Sequence, residues 1–200
     1  YQDMMDYAEN RLEPILLNTS EENNFSIPES EMAEHAKSLD SYLVSNPCNP
    51  TGHVIQGDAL SSYCQTARET GCTMIFDEFY SHFIYDRDGP ADGPVSAAEF
   101  VEDPESDPIL CIDGLTKSFR YPGWRVRWVL GPRELIETFA RAASAIDGGP
   151  SRVSQRMALK AMEPSYASQE TEALRVEFAK KHSMMVRRLT GMGIRCLPGN

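Results

Sequence analysis

No run in this 200-residue chain has the length and apolarity of a membrane-spanning helix, and no basic-then-apolar leader opens it. Positive charge is in short supply. Nineteen Lys and Arg stand against thirty Asp and Glu, a formal net charge of −11, which argues against nucleic acid or an anionic membrane surface as the main partner. The cysteines (Cys48, Cys64, Cys72, Cys111, Cys196) form an odd set without a Cys-x-x-Cys pair. That pattern disfavours both a disulfide framework and a zinc site and points to a reducing, cytoplasmic compartment. His35, His53, His82 and His182 are scattered without ligand spacing, so no metal is expected. A Gly-x-Ser-x-Gly elbow is missing, as are an internal repeat and the Gly-x-x-x-x-Gly-Lys context of a phosphate loop around Lys117. What remains, 41% hydrophobic and 24% charged, is enough for a full core.

Three short apolar runs, each ending in polar residues, organise the chain. Ser41 to Ser45 reads as a strand entering Asn46-Pro-Cys-Asn-Pro-Thr-Gly52, and Thr73 to Phe76 as a strand entering Asp77-Glu-Phe-Tyr80. Ile109 to Ile112 leads into a turn carrying Lys117 and Arg125, with a second apolar run, Val126 to Leu130, behind it. In open α/β sheets, ligands collect where strands end at their carboxyl edge. Lys117 followed by Arg125 suits an anionic ligand that an amine also holds covalently. Taken alone, that stretch reads equally well as an exposed Lys and a solvated Arg in an ordinary loop.

The intervening segments supply helices. Tyr1 to Glu13 is loosely helical, Pro14 to Asn18 is a short strand candidate and Thr19 to Asn24 a polar loop. Pro28 opens a helix to about Ser38, with Glu29, Glu31 and Glu34 in its early turns. Asp58 could cap a helix over 59–70 that Gly71 ends. Asp86 to Pro108, rich in Asp, Gly, Pro and Glu, reads as an exposed loop with one helical turn near Ser96–Phe100. Helices follow over 133–146 and about 152–162, and a long one over 167–189. Gly191 to Leu197 reads as the start of a new strand. Strand–helix alternation predicts an α/β fold, a three-layer α/β/α arrangement with a mostly parallel sheet.

The order Asn-Pro-x-Asn-Pro-Thr-Gly, Asp-x-x-Tyr, then Thr-Lys with Gly-Trp-Arg resembles the class I/II aminotransferases. These are pyridoxal 5'-phosphate enzymes of the aspartate aminotransferase fold (fold type I), and the resemblance runs over residues 10 to 200. It implies a Schiff base between the cofactor and Lys117, whose freed amine then moves a proton. It implies that Asp77 pairs with the pyridine nitrogen and that Tyr80 and Asn49 donate to the phenolic oxygen. Arg125, helped by the Thr116 hydroxyl, would clamp the phosphate. Cofactor-binding residues on this reading are Asn49, Asp77, Tyr80, Thr116, Lys117 and Arg125, with Lys117 catalytic. The Asn49–Pro50 bond is expected to be cis. Glu78, adjacent to Asp77 on an extended backbone, should point to the opposite side. Two departures stand out: Gly114 occupies a position where many members carry a phosphate-binding Ser, and Arg127 one usually held by a small residue.

Members of that family are longer, and this chain lacks an initial Met and ends on the turn-like Leu197-Pro-Gly-Asn200. The expectation is a fragment: a large cofactor-binding domain over 1–165 lacking its N-terminal part, an interdomain helix over 166–190 and the start of a small C-terminal domain over 191–200. The phosphate-cradling loop and the ring-stacking aromatic would precede it, and the arginine for the substrate α-carboxylate would follow. The function so implied is transamination between an amino acid and a 2-oxo acid in a homodimer, with neither nucleic acid nor membrane as partner. Other reactions of the same cofactor (lyase, cyclising synthase, oxidase) and a degenerate, non-catalytic module are the alternatives.

Overall fold

Four strands, β1 (Ser41–Ser45), β2 (Thr73–Asp77), β3 (Ile109–Gly114) and β4 (Arg127–Leu130), form one sheet in the order β1-β2-β3-β4 in a computed structural model that describes residues 13–85 and 94–196. The first three strands are parallel and β4 runs antiparallel to β3. The register places Ser45 beside Asp77 and Asp77 beside Ile112, so the three parallel strands finish on one edge.

Alternation along the strands turns Tyr42, Met74, Phe76, Ile109 and Cys111 onto helices α1 (Glu29–Ala36) and α2 (Asp58–Thr70). Against them α1 brings Met32 and Ala36, and α2 brings Leu60, Tyr63, Cys64 and Ala67. Burying each of the larger side chains contributes about 1.5–3 kcal/mol, which makes this face the main source of stability. Glu29 and Glu31 sit in the first turn of α1, as the helix dipole favours. The N-cap position of α2 falls to Gly57, with Asp58 already inside the first turn. At the other end Gly71, at φ 75°, donates its N–H to the Ala67 carbonyl at 2.9 Å.

Beyond β4 come α3 (Arg133–Ile146), α4 (Arg152–Ala161) and the 28-residue α5 (Pro164–Gly191). Ser151 caps α4 by accepting from the Ser154 N–H at 3.0 Å. A second cluster of Leu115, Phe119, Val126 and Ala158 joins β4 to α4. Along α5, Phe178 meets Phe83 edge to face at 5.0 Å, His182 stacks on Tyr85 at 5.2 Å, and Glu170 pairs with Arg120. Arg127, without an explanation in the sequence, bonds Asp147 at the end of α3 with an N···O distance of 2.9 Å. Both partners are largely exposed, so the pair contributes little to stability. No helix among the described residues is long and apolar enough to cross a membrane.

Several expectations need correction. Residues 14–18 form no strand, and Ile15 and Leu16 lie exposed with no strand beside them among the described residues. The polar loop after them holds a 3-10 turn over Glu21–Asn23. The helix from Pro28 ends at Ala36, two residues early. Helix α5 continues through Gly191, and residues 192–196 form turn and coil rather than a strand. The helical turn near Ser96 is present as Ala97–Phe100, yet Val95, Ala97 and Asp107 are buried, so this part of the loop is packed. Residues 1–12, 86–93 and 197–200 lie outside the described residues.

Gly114 is explained by packing. A Cβ there would lie 2.7 Å from the Val126 carbonyl oxygen, 2.9 Å from the Arg127 Cα and 2.9 Å from Phe79 Cε1. Two of those atoms are backbone of the antiparallel turn, so no side chain fits without moving β4. Gly114→Ala should therefore cost about 2 kcal/mol, the scale of core overpacking. Gly123→Ala, facing open space at an ordinary φ, should stay within about 0.5 kcal/mol. Urea denaturation midpoints of the two variants check this.

Candidate active site

The loop after β1 is built around Asn46, which is fully buried. Its Nδ2 donates to the Ile55 carbonyl and its Oδ1 accepts from the Ile55 N–H, both at 2.8 Å. Its own N–H donates to the Asp77 carbonyl at 2.9 Å, which ties the loop to the end of β2. The Asn49–Pro50 bond is cis, as expected, and so is Asn46–Pro47. The loop presents Asn49, whose Nδ2 donates to the Tyr80 hydroxyl at 3.2 Å.

Tyr80 belongs to the turn that follows β2. Asp77, the last residue of that strand, accepts from the Phe79 N–H at 3.4 Å. Lys117, on the turn after β3, places its Nζ 5.6 Å from the centre of the Tyr80 ring. Ser45, Asn49, Asp77, Phe79, Tyr80 and Lys117 line one cavity of about 320 Å³. Four of the six residues singled out from the sequence thus meet in one place. Thr116 and Arg125 do not line that cavity. Arg125 is exposed, donates from Nη1 to the Pro122 carbonyl at 3.3 Å, and holds a left-handed backbone (φ 54°, ψ 36°). A non-glycine residue in that region is strained, and such strain concentrates at functional loops. The loop is stiffened by Tyr121 stacked on Trp124 at 4.1 Å.

A second cavity of about 290 Å³ adjoins the first. It shares Asn49 and Tyr80 and is walled by Phe83, Tyr85 and His182. His82 stays out of both linings, edge-on to Phe119, its pKa pushed down to about 4 mainly by burial and secondarily by Arg175. All five cysteines are free, and burial pushes the Cys64 thiol up to about 12, so this thiol is inert. Among the described residues no group of three or more His, Cys, Asp and Glu could hold a metal ion.

Glu78 does face away from Asp77: its carboxylate accepts from Ser96 Oγ and from the Ala97 N–H, both at 2.7 Å. Burial nevertheless raises its pKa to about 7. The same holds for Asp113, which the sequence reading passed over. Burial raises it to about 7, although the Gly114 N–H donates to it at 2.6 Å and Ser81 Oγ at 3.1 Å. Ser81 and Ser118, both fully or nearly fully buried, are likewise outside the motif residues, whereas Asn46 opens the Asn-Pro-x-Asn-Pro-Thr-Gly motif without a role of its own in it. The one legible signal of the two serines was a polar residue beside a motif residue, too common a pattern to single them out.

A family model described as "Aminotransferase class I and II" matches residues 5–200. An aspartate aminotransferase of Pyrococcus abyssi is 28% identical over 183 residues, spanning 90% of this chain and 45% of that protein. An aspartate/prephenate aminotransferase of Thermus thermophilus is 28% identical over 156 residues, 78% of this chain and 38% of that protein. Among solved structures, an aromatic aminotransferase from Pyrococcus horikoshii superposes with a TM-score of 0.78 at 27% identity, covering 91% of this chain and 48% of that one. The chain spans about half the length of the relatives it matches.

The two raised carboxyls set a pH dependence. Between about pH 4, where Glu78 and Asp113 begin to ionise in the unfolded chain, and about pH 7, the folded state holds protons the unfolded state has lost. Stability should therefore fall as pH rises through that window and level off above it. The combined variant Glu78→Gln, Asp113→Asn should flatten the fall, by on the order of 1 kcal/mol or more across the window. Urea midpoints measured from pH 4.5 to 8 read the difference, and parallel curves for the two proteins would contradict it.

Proposed function

Because this chain belongs to the class I and II aminotransferase family, we propose that the protein carries out pyridoxal-phosphate-dependent transamination, moving an amino group between an amino acid and a 2-oxo acid. The observation that carries the reading is the single cavity shared by Lys117, Tyr80, Asn49 and Asp77 at the carboxyl ends of parallel strands. The donor set fits the cofactor. Pyridoxal phosphate presents an aldehyde, a basic ring nitrogen and a phenolic oxygen, and the cavity wall offers an amine, a carboxylate, and a phenol beside a carboxamide. A volume of about 320 Å³ is at the lower end of small-molecule sites. The names of the matched proteins, aspartate and aspartate/prephenate aminotransferases, support an amino-acid substrate.

Bound there, the cofactor supplies an aldehyde that takes up amino groups and an aromatic ring that draws electron density from the substrate's α carbon. In this reading the Lys117 amine holds the aldehyde covalently, and once released it takes the proton from that α carbon and returns it on the other side of the exchange. The Asp77 carboxylate keeps the ring nitrogen protonated. Tyr80 and Asn49 donate to the phenolic oxygen, and their mutual bond at 3.2 Å already sets their spacing. Arg125 and Thr116, which stand outside the cavity lining, would be the phosphate partners on this reading. The domain plan of residues 1–165, 166–190 and 191–200 belongs to the same proposal, as do a homodimer and a cytoplasmic setting.

Borohydride reduction of the full-length protein after loading with pyridoxal phosphate should leave a pyridoxyl group on Lys117, found by peptide mapping and lost in Lys117→Ala. That variant should also lose roughly 10³-fold or more of its transamination rate. An intact, folded, full-length protein that takes no label would sink the reading. Formation of a new 2-oxo acid on mixing separates transamination from other reactions of the cofactor. Arg125→Gly should relieve the left-handed strain, leaving stability equal or higher by up to about 1 kcal/mol, while weakening pyridoxal phosphate binding at least about tenfold. Thermal melts and a cofactor titration measure both sides.

A further inference from the structure

Two buried serines lace the segment carrying Tyr80 to the segment carrying Lys117. Ser81, directly after Tyr80 and 1% exposed, donates from Oγ to Asp113 Oδ2 at 3.1 Å, on the strand that leads to Lys117. Ser118, directly after Lys117 and fully buried, donates from Oγ back to the Phe79 carbonyl at 3.4 Å, on the turn that holds Tyr80. Each of the two cavity residues is thus followed by a serine whose hydroxyl reaches the other's segment. Asp113 anchors the first of these links, and its second oxygen accepts from the Gly114 N–H at 2.6 Å, which ties the carboxylate to its own strand end.

A carboxylate is a costly choice for such an anchor. The charged group acting on Asp113 is Asp77, a like charge, and burial disfavours ionisation further. A neutral Asn or an apolar residue would pack there at lower cost, so filling the position is insufficient reason for the acid. What Asp113 offers is two strong acceptor oxygens, one for the backbone of its own strand end and one for the neighbouring turn. Glu78, fully packed where Asp113 is half-buried, is engaged with Ser96 and Ala97 on the far side and takes no part.

We propose that Asp113 is a positioning residue that, through the Ser81 hydroxyl, fixes the Tyr80 phenol relative to the Lys117 amine. The proposal rests on the transamination reading above, and its test keeps the two apart. In the full-length protein loaded with pyridoxal phosphate, the absorbance of the Lys117-bound cofactor is titrated against pH and steady-state kinetics are recorded for Asp113→Ala, Ser81→Ala, their combination, and Asp113→Asn. Asp113→Ala and Ser81→Ala should each move the spectral midpoint in the same direction by about half a pH unit or more. Each should lower kcat roughly ten- to a hundredfold with KM changed far less. The double variant should be no worse than either single one, and Asp113→Asn, which keeps an oxygen for Ser81, should recover most of the loss.

Variants that melt lower while midpoint and kcat stay put would overturn the proposal, as would single effects that simply add in the double variant. If the unsubstituted protein binds no pyridoxal phosphate, the function reading fails, and the positioning claim is read from crystal structures of the unloaded proteins. Loss of the Asn49–Tyr80 hydrogen bond in Asp113→Ala and Ser81→Ala upholds it, and an unchanged 3.2 Å contact overturns it.

Discussion

Parallel strand pairing is the constraint on which the rest depends. Evenly spaced hydrogen bonds hold β1, β2 and β3 in a register where Ser45, Asp77 and Ile112 stand side by side. Parallel strands must all finish on the same edge, so three loops widely separated in sequence are delivered to one place. Asn49, Tyr80 and Lys117 come together for that reason, and the Asn49–Tyr80 hydrogen bond and the Lys117–Tyr80 contact then refine a proximity the sheet has already set. The apolar face of Met74, Phe76, Ile109 and Cys111 packed on α1 and α2 fixes the register, because a slip of one residue would turn those side chains to the opposite face.

On that edge the chemistry divides by depth. Lys117 is exposed, while Glu78 is buried and Asp113 half-buried. Hydrogen bonds from Ser81, Ser96, Ala97 and Gly114 satisfy those acids, although burial still raises the pKa of both to about 7. The antiparallel turn from Gly114 to Arg127 closes the site on one side. It packs so tightly on Phe79 that it excludes a side chain at position 114. The absence of a serine there is therefore a consequence of backbone packing, whatever binds beside it.

Helix α5 couples this edge to the remainder of the chain. Phe178 and His182 reach Phe83 and Tyr85 on the segment just past Tyr80, and His182 walls the second cavity that shares Asn49 and Tyr80 with the first. A rotation of the helix would therefore be felt at Tyr80 through packed rings rather than through a flexible loop.

Three parallel strands, β1, β2 and β3, were legible in the sequence, and the family resemblance named the four residues that meet in the cavity. Apolar runs of five residues bounded by Gly, Pro and Asp have few other solutions, and β1 and β2 fall where the pattern places them. The sequence by itself also determined that Glu78 and Asp77 point apart, since alternation is a local property. Residues 14–18 and 191–196 were misjudged, because a short apolar run becomes a strand only when another strand lies beside it, and among the described residues none does. Tertiary structure alone decided that Gly114 is forced by the close approach of β4, that Arg127 pairs with Asp147, and that Arg125 turns to Pro122 outside the cavity lining. It alone joined Ser81 to Asp113 across 32 positions of chain. Periodicity and motif spacing report on the backbone's local preferences, whereas these contacts depend on distances between segments that only the packed sheet brings together.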